Sequence, residues 1–554
     1  MKKGSKRKLR IDRIIIFMMG VILTSFLCFS IINRFTSKPV NKTILYLSSD
    51  VNEVQLYDDN LVESIKLPRG TEVIIENKEE EYYKINYDNK LLHVKLDNVT
   101  ENKQDVVKEK ERYVRTPVTV YKSINESKIL TSLKKGDKVE ILNYDKLNND
   151  GSVNMYEIKT TGGSGYVYSK YLVNDYDTSL KNYDEENIYT YHKDRKFSYE
   201  LYGGLAANLD YYPYEKVSFE NNVMPDETRT LYLNGWSGTI SNIDSYIELA
   251  KKSNINAFVV DIKDGYMAYK SEVAKTYSIS NYNSSANSYD NYKEAISKLK
   301  NEGFYVIGRI TAFNDKNFAK DNPTETIQSS DGTSTGWVSA YSRLAWEFNV
   351  ELAKEAITEF GFNEIQFDYV RFPELSYSYS KNNYDFKNKY NEEKAQAIQN
   401  FLFYATDEIH KLNAYISVDV FGECVGTYVT AYGQYWPAIS NIVDVISAMP
   451  YPDHFAKGSY GINIPWENPY SLMLGWASSA LKRQGEIPTP AKVRTWIQAY
   501  DAIRSPYITY DETKISDQIR GLYAAGLTGG YITWNAASSL SKYEAISGAF
   551  SKEY

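Results

Sequence analysis

Three aspartates of this sequence, Asp261, Asp368 and Asp419, stand in short apolar stretches that are typical of β-strands. Successive side chains of a strand point to opposite faces, so Asp368 shares a face with Gln366 and lies opposite Phe367. Apolar side chains are expected to pack outward against helices. The Asp368 carboxylate is therefore predicted to face the interior of the fold, and the same alternation applies to the other two aspartates.

Further polar and aromatic residues follow the ends of the same apolar stretches. Basic side chains can hold a nearby carboxylate in its ionised form, aromatic rings can stack on sugars, and amides can hydrogen-bond hydroxyl groups. The candidate substrate-binding residues are Asp261, Lys263, Arg309, Gln366, Tyr369, Arg371, Tyr451, Asp453, His454, Trp496, Gln498, Trp534 and Asn535.

A group of carboxyls around one opening suits the hydrolysis of glycosidic bonds. That reaction uses two carboxyl groups, one protonated and one ionised, on the two sides of an oxocarbenium-like centre. Asp368 is the predicted nucleophile or primary carboxylate, and Asp419 is the predicted general acid/base. The alternative for each is a structural ion pair with an arginine, and Asp261 and Asp453 remain open as partners of Asp368. Asp261 and Asp264 are read as either structural or substrate-positioning residues.

Metal and cofactor chemistry is not predicted. The four histidines, His93, His192, His410 and His454, are scattered and lack the spacing of metal ligands. No Ser-His-Asp order supports a hydrolase of peptide or amide bonds, which is the weakest alternative.

The elements that carry these residues alternate regularly from residue 229 to residue 554. Eight apolar strands separated by amphipathic helices predict an α/β domain, a (β/α)₈ TIM barrel, with its site at the carboxyl ends of the strands. The rival, an open doubly wound sheet, usually begins with a Gly-rich phosphate loop, which Asn234-Gly-Trp-Ser-Gly238 does not match. The predicted strands are Leu231–Asn234, Ala257–Asp261, Phe304–Ile310, Glu364–Tyr369, Ala414–Val420, Val443–Met449, Val493–Gln498 and Tyr531–Asn535. Helical patterns fall between them, for example at Ile243–Lys252, Asn291–Asn301, Asn349–Phe360, Glu392–Leu412, Ser516–Ala525 and Ser541–Phe550.

An internal repeat precedes the barrel. The segment from Leu67 to Ile75 recurs from Leu133 to Ile141, with a glycine at the fourth position of both copies. Short strands around a glycine turn predict two small all-β domains, at residues 43–100 and 112–174. They resemble bacterial SH3-like domains of cell-wall proteins, and this resemblance implies wall or partner binding; the alternative is a pair of spacers. Residues 175–228 are read as a Tyr-rich connector.

The N-terminus predicts membrane attachment. Residues 1–13 carry seven basic residues and one acidic residue, and residues 14–32 form an apolar run without charge. Such a run is long enough for a transmembrane helix, and the basic tail is expected to stay in the cytoplasm, which leaves the bulk of the chain extracytoplasmic. A cleaved signal peptide is the alternative, but the run is long and lacks an A-x-A-like site.

The charge of the remaining chain argues against nucleic acid as a partner. The whole chain has a formal net charge of −7, and residues 1–13 contribute 7 − 1 = +6 of it, so the remainder carries −7 − 6 = −13. A nucleic-acid partner requires a basic face.

The stretch from Phe360 to Pro373, FGFNEIQFDYVRFP, closely resembles the core signature of a bacterial family of glycosyl hydrolase-like domains whose function is otherwise unknown. The likeness extends over roughly residues 229–545. It implies a glycosidase-type barrel related to the alpha-amylase-like hydrolases, many of which place a nucleophilic aspartate where Asp368 stands. Ser339-Ala-Tyr341 and Pro452-Asp453-His454 depart from the family's usual Asn-Pro-Tyr and Pro-Ser-His.

These patterns together predict a membrane-anchored, extracytoplasmic glycoside hydrolase that acts on a cell-envelope or secreted polysaccharide. The alternative is a non-catalytic envelope protein that binds glycan or cell wall.

Overall fold

The structure, a computed structural model, describes residues 43–183 and 202–554. The predicted tail 1–13 and anchor 14–32 lie outside these residues. Among the residues that are described, no helix is long and apolar enough to cross a bilayer. The chain divides into two compact units, one with the residues up to Glu109 and Lys146–Val153, the other with Lys110–Asp145 and Asn154–Tyr554.

The first unit is built on a seven-stranded antiparallel sheet in the order β3-β2-β6-β5-β4-β1-β7. Apolar residues at alternate positions, such as Leu45 and Leu47 in β1 and Val54 and Leu56 in β2, form its buried core. The strands are β1 (Ile44–Leu47), β2 (Glu53–Tyr57), β3 (Glu63–Pro68), β4 (Glu72–Lys78), β5 (Tyr82–Tyr87), β6 (Lys90–Lys95) and β7 (Val99–Thr100).

A second seven-stranded sheet belongs to the larger unit and has the order β10-β9-β13-β12-β11-β8-β14, which is the order of the first sheet shifted by seven strands. Gly70 and Gly136 stand in the matching turns with φ values of 84° and 87°, where a side chain would be strained. The prediction of a repeated all-β domain is confirmed. The strands are β8 (Glu111–Val114), β9 (Val118–Tyr121), β10 (Ile129–Leu133), β11 (Lys138–Tyr144), β12 (Met155–Thr160), β13 (Gly163–Tyr168) and β14 (Leu172–Val173).

The C-terminal domain contains nine parallel strands that form a nearly closed barrel, in the order β23-β22-β21-β20-β17-β16-β15-β25-β24. The first and last strands of this order, β23 and β24, are separated in the chain by Arg494 alone. The backbone N–H of Arg494 donates to the Ile446 carbonyl of β22 at 3.1 Å. The parallel α/β barrel is confirmed, and an open sheet is excluded for this domain. The strands are β15 (Thr228–Leu233), β16 (Ala257–Lys263), β17 (Tyr305–Thr311), β20 (Glu364–Asp368), β21 (Tyr415–Phe421), β22 (Val445–Met449), β23 (Lys492–Val493), β24 (Thr495–Gln498) and β25 (Gly530–Trp534), and the hairpin is β18 (Thr326–Gln328) with β19 (Ser334–Val338).

Helices connect the barrel strands, and their ends follow ordinary capping chemistry. The longest helix, Arg343–Phe360, begins where the Ser342 side chain accepts from the N–H of Ala345, and it ends at the left-handed Gly361, three residues before β20. The helices are α1 (Tyr176–Leu180), α2 (Ser237–Ser241), α3 (Ile243–Lys252), α4 (Glu272–Tyr277), α5 (Ile279–Asn283), α6 (Tyr289–Asn301), α7 (Lys316–Asp321), α8 (Arg343–Phe360), α9 (Ser376–Lys381), α10 (Lys394–His410), α11 (Trp436–Ser440), α12 (Pro469–Gln484), α13 (Glu512–Ala525) and α14 (Leu540–Phe550).

The second sheet packs on two of these helices, α8 and α10. The Tyr171 hydroxyl donates to Asp407 of α10 at 2.8 Å, and the N–H of Ile129 donates to Glu347 of α8 at 2.7 Å. Both carboxylates are buried, so their hydrogen bonds offset the cost of removing them from water. The second all-β domain is thus an integral part of the larger unit.

Candidate active site

A cavity of about 300 Å³ lies at the carboxyl ends of the barrel strands. Its volume is at the lower end of the range for ligand pockets, and its walls combine aromatic rings with charged groups. The lining residues are Asp264, Arg309, Asp368, Tyr369, Arg371, Glu374, Phe421, Met449, Tyr451, His454, Trp496 and Trp534.

Asp368 is the last residue of β20 and lines this cavity, as the alternation of the strand predicts. One carboxylate oxygen accepts from Arg309 at 2.6 Å, and the other accepts from the backbone N–H of Tyr369 at 2.6 Å. Tyr369 has a φ of 53°, a left-handed conformation that is unfavourable for a residue with a side chain. The turn after β20 therefore carries strain where the backbone clamps the Asp368 carboxylate.

Arg309, on the neighbouring strand β17, joins three carboxylates. Its guanidinium lies 2.8 Å from Asp261, 3.3 Å from Asp264 and 2.6 Å from Asp368. Burial disfavours its charge, but the three carboxylates outweigh burial and hold the pKa of Arg309 well above its usual value. Asp264 and Asp368 both line the cavity, so a single guanidinium positions two accessible carboxylates.

Asp419 lies on β21 and is completely buried. One carboxyl oxygen accepts from the Trp496 indole N–H at 2.7 Å, and the other lies 3.8 Å from Arg309 and has no hydrogen-bond partner among the described residues. Burial, with the nearby charge of Asp368, raises the pKa of Asp419 well above its usual range. Asp419 does not line the cavity, so a ligand bound there would not contact its carboxyl group directly.

Asp261 is also buried, beneath Arg309. Its carboxylate accepts from the Tyr232 hydroxyl at 2.5 Å and from Arg309 at 2.8 Å. Burial and the charge of Asp264 raise the pKa of Asp261 to about 7, against the opposing effects of Arg309 and the Tyr232 hydroxyl. Asp261 therefore titrates near neutral pH and supports Arg309 from below.

The prediction that Lys263 shares the face of Asp261 is wrong. A β-bulge between the two residues pairs Asp261 with Arg309 but Lys263 with Ile310, so Lys263 is turned to the outer face of the barrel. There its ammonium donates to Asp315 at 2.6 Å and to Asn349 at 2.9 Å. Lys263 joins β16 to the surrounding helices and does not reach the cavity.

Four other predicted substrate-binding residues do not line the cavity, because each is buried and bonded within the fold. Gln366 donates to Ser447 at 3.2 Å, Gln498 to the Tyr500 carbonyl at 3.2 Å, and Asn535 to the Ala499 carbonyl at 2.9 Å, while Asp453 accepts from the Tyr500 hydroxyl at 2.9 Å. The loops of the cavity wall are held in place by Asp453 after β22, by Gln498 at the end of β24 and by Asn535 directly after β25.

The other predicted residues meet at the cavity. Trp496, Trp534 and Tyr451 contribute aromatic walls, and the His454 side chain is 53% exposed at the rim. Burial lowers the pKa of His454, with Asp453 opposing. Arg371 pairs with Glu374 at 2.7 Å.

Asp264, for which the sequence leaves a structural and a substrate-positioning role open, lines the cavity, and so do Glu374, Phe421 and Met449, which were not predicted. The signal for Asp264 is its place directly after strand β16, and that for Glu374 is its place directly after the Arg371-Phe-Pro373 segment. Within residues 43–183 and 202–554, no group of three or more His, Cys, Asp or Glu side chains could hold a metal ion.

A family model described as "Putative glycosyl hydrolase domain" matches residues 230–540, which includes every strand of the barrel after the start of β15. No curated protein matches the sequence significantly.

Solved structures similar to this chain include a hypothetical protein from Ruminiclostridium thermocellum, 31% identical, which covers 34% of this chain and 97% of its own with a TM-score of 0.29. The PgaB (BpsB) glycoside hydrolase domain from Bordetella bronchiseptica is 12% identical, and the match covers 58% of this chain and 98% of that domain with a TM-score of 0.42. The spore cortex-lytic enzyme SleL from Bacillus megaterium is 12% identical, and the match covers 60% of this chain and 76% of the enzyme with a TM-score of 0.36. All three TM-scores are below 0.5, so none of these structures supports an argument about the function of this chain.

Proposed function

The chain belongs to the putative glycosyl hydrolase domain family, and from this premise we propose that it is a glycoside hydrolase of a cell-envelope or secreted polysaccharide. If β23 and β24 are counted as one strand that is interrupted at Arg494, the nine strands become eight. Eight parallel strands correspond to the (β/α)₈ architecture. In that architecture the active site lies at the carboxyl ends of the strands, where the cavity is found.

The observation that carries the proposal is the pair of cavity-lining carboxylates on one guanidinium. Asp264 and Asp368 both contact Arg309, so they face the same small space at a separation fixed by that side chain. Glycosidases act with two carboxyl groups on the two sides of the scissile bond. Asp368 is the nucleophile or primary carboxylate of this proposal, because its two oxygens are held by Arg309 and by the Tyr369 N–H.

Asp419 also has a role in the proposed mechanism, although it does not contact the substrate. Its raised pKa, caused by burial and by Asp368, supports a proton held directly beneath the cavity. An acid/base role for Asp419 then requires transfer through Asp368, whereas Asp264 contacts the cavity itself. We therefore assign direct proton exchange with the substrate to Asp264 and a proton-holding role to Asp419.

The walls of the cavity suit a carbohydrate. Trp496, Trp534 and Tyr451 offer flat apolar faces, and His454 and Arg371 offer hydrogen-bond donors at the rim. Sugar rings have apolar faces edged by hydroxyl groups, so this mixture matches both of their surfaces.

The proposal places the barrel outside the cytoplasm. The apolar run 14–32 and the basic tail before it support a single-pass anchor with a cytoplasmic N-terminus. The two all-β domains are proposed to be SH3-like and to contact the cell wall. Protease added to intact cells is expected to degrade the barrel, and a fully protected barrel contradicts this location.

Hydrolysis is tested by incubating the purified full chain with a panel of cell-wall and secreted polysaccharides. New reducing ends and defined oligosaccharide products are expected with at least one polymer. A chain that stays bound to a polymer yet releases no reducing ends on prolonged incubation contradicts hydrolysis and supports the non-catalytic glycan-binding alternative.

A further inference from the structure

An aromatic pair, the exposed Trp236 and the half-buried Tyr266, adjoins the cavity. Their ring centroids are 4.4 Å apart with the planes inclined by 34°. Trp236 is 57% exposed, whereas the other seven tryptophans, all of them within the described residues, are buried or half-buried. Two neighbouring aromatic rings, one of them largely exposed, offer a flat apolar surface with a polar edge that suits stacking by a ligand.

The pair stands at the same end of the barrel as Asp368. Trp236 is the third residue after β15, and Tyr266 is the third residue after β16. The N–H of Asp264, which lines the cavity, donates to the Tyr266 carbonyl at 3.0 Å. Burial and the charges of Asp261 and Asp264 raise the pKa of Tyr266, which agrees with a position next to the carboxylate cluster. The aromatic pair is therefore continuous with the cavity on the side of Asp264.

The two loops that carry the pair are held firmly together. Asn287 donates from its amide to the Gly235 carbonyl and to the Ala268 carbonyl, at 2.8 Å each. A Cβ at Gly235 would lie 2.6 Å from the Ala268 side chain, so the absence of a side chain allows the loops to approach. Asn234 accepts from the Trp236 N–H at 3.3 Å and fixes the turn. A rigid platform of this kind binds with little loss of conformational entropy.

We propose that Trp236 and Tyr266 form a stacking platform for a sugar ring outside the cavity, so that the substrate is an extended oligosaccharide whose chain passes over Asp264. This inference rests on the proposed glycoside hydrolase function and specifies its substrate as a chain of several sugars. The cavity of about 300 Å³ holds the sugars at the scissile bond, and the platform holds a ring farther along the same chain.

The test compares short and long substrates. Chito-, cello- and malto-oligosaccharides are each supplied as dimers and hexamers to the full-length wild type and to Trp236→Ala. The variant is expected to lose about tenfold in kcat/KM on the hexamer of the cleaved series and to keep its kcat/KM on the dimer, since stacking contributes about this much. Trp236→Phe is expected to restore most of the loss.

Tyr554→Ala is the matched control. Tyr554 is a partly exposed ring that pairs with Tyr523 at 5.9 Å, and Tyr523 contacts Glu227 just before β15, at the opposite end of the barrel. This variant should leave both substrates unaffected.

Three results are distinguishable. An equal loss on dimer and hexamer, or no loss on either, overturns the platform while the hydrolase proposal stands. If the wild type cleaves no member of the panel, hexamer binding by calorimetry decides: weaker binding by Trp236→Ala supports the platform without hydrolysis. Equal binding by both proteins, or no hexamer binding by the wild type, overturns it.

Discussion

The carboxyl groups that line the cavity or lie buried beside Arg309 fall into two layers with different surroundings. The cavity layer consists of Asp264, Asp368 and Glu374, which line the open space. The buried layer consists of Asp261 and Asp419, which are 1% and 0% exposed. Burial raises the pKa in the buried layer, while the cavity layer meets arginines and solvent. Asp368 and Asp419 stand at similar places on neighbouring strands, yet the first lines the cavity and the second is fully buried, so similar positions in the sequence pattern do not imply similar surroundings.

The largest effect is expected at the arginine that joins the layers. Arg309→Met should lower the free energy of unfolding by roughly 3–5 kcal/mol, because it leaves buried carboxylates without a partner. Urea denaturation followed by tryptophan fluorescence measures the change. Arg520→Met is the control, since Arg520 pairs with Asp517 at an exposed position. A stability equal to that of the wild type would show that the two layers do not depend on this guanidinium.

Within the cavity layer, Asp264→Asn should lower kcat/KM on a natural glycan by about a hundredfold to ten-thousandfold, the range for loss of a general acid or base. The loss should be much smaller on an aryl glycoside whose leaving group needs no proton. Steady-state kinetics on the glycan and on the aryl glycoside distinguishes a proton-transfer role from a positioning role. Equal losses on both would assign Asp264 to substrate positioning alone.

In the buried layer, Asp419→Asn is expected to lower kcat/KM only about tenfold, because the amide resembles the protonated carboxyl and can still accept from Trp496. The melting temperature should change little. A loss as large as that of an Asp368 variant would restore Asp419 as a direct acid/base and would remove the distinction between the layers.

The last prediction concerns the pH dependence of stability. The pKa of Asp261 is raised from 3.8 to about 7 in the folded state, so the folded protein binds this proton more tightly than the unfolded chain. The corresponding stability is present below pH 3.8 and is lost as the pH rises to about 7. Asp261→Asn should therefore lose less stability over this interval than the wild type, as measured by urea midpoints at several pH values. Parallel profiles would contradict the raised pKa.

Much of the fold follows from periodic patterns in the sequence. Helix α3, Ile243–Lys252, has the predicted bounds, and the turn glycines Gly70 and Gly136 identify the repeated sheets. Helix α12 was not predicted. Pro469 opens it, and the half-buried Leu474 and Leu481 lie beside its buried face, so its apolar stripe is broad and its amphipathic pattern is weak.

The site was only partly predictable, because alternation assumes regular strands and does not report depth. Strand alternation correctly predicted that Asp368 faces the cavity. It failed at Lys263, because a β-bulge turns that side chain to the outer face of the barrel. It also could not separate Asp368 from Asp419, since both follow the same alternation and differ in what covers them. Glu374 lies in a loop, where strand alternation does not apply, and its local pair with Arg371 could not be read from the sequence pattern.

The central claim is that Asp368, in the cavity layer, is the primary catalytic carboxylate. Its most direct test is kcat/KM of Asp368→Asn on a glycan that the wild type cleaves, with the melting temperature measured alongside. A loss of at least about a thousandfold in a folded protein is the predicted result. Activity at the wild-type level in the folded variant would contradict it.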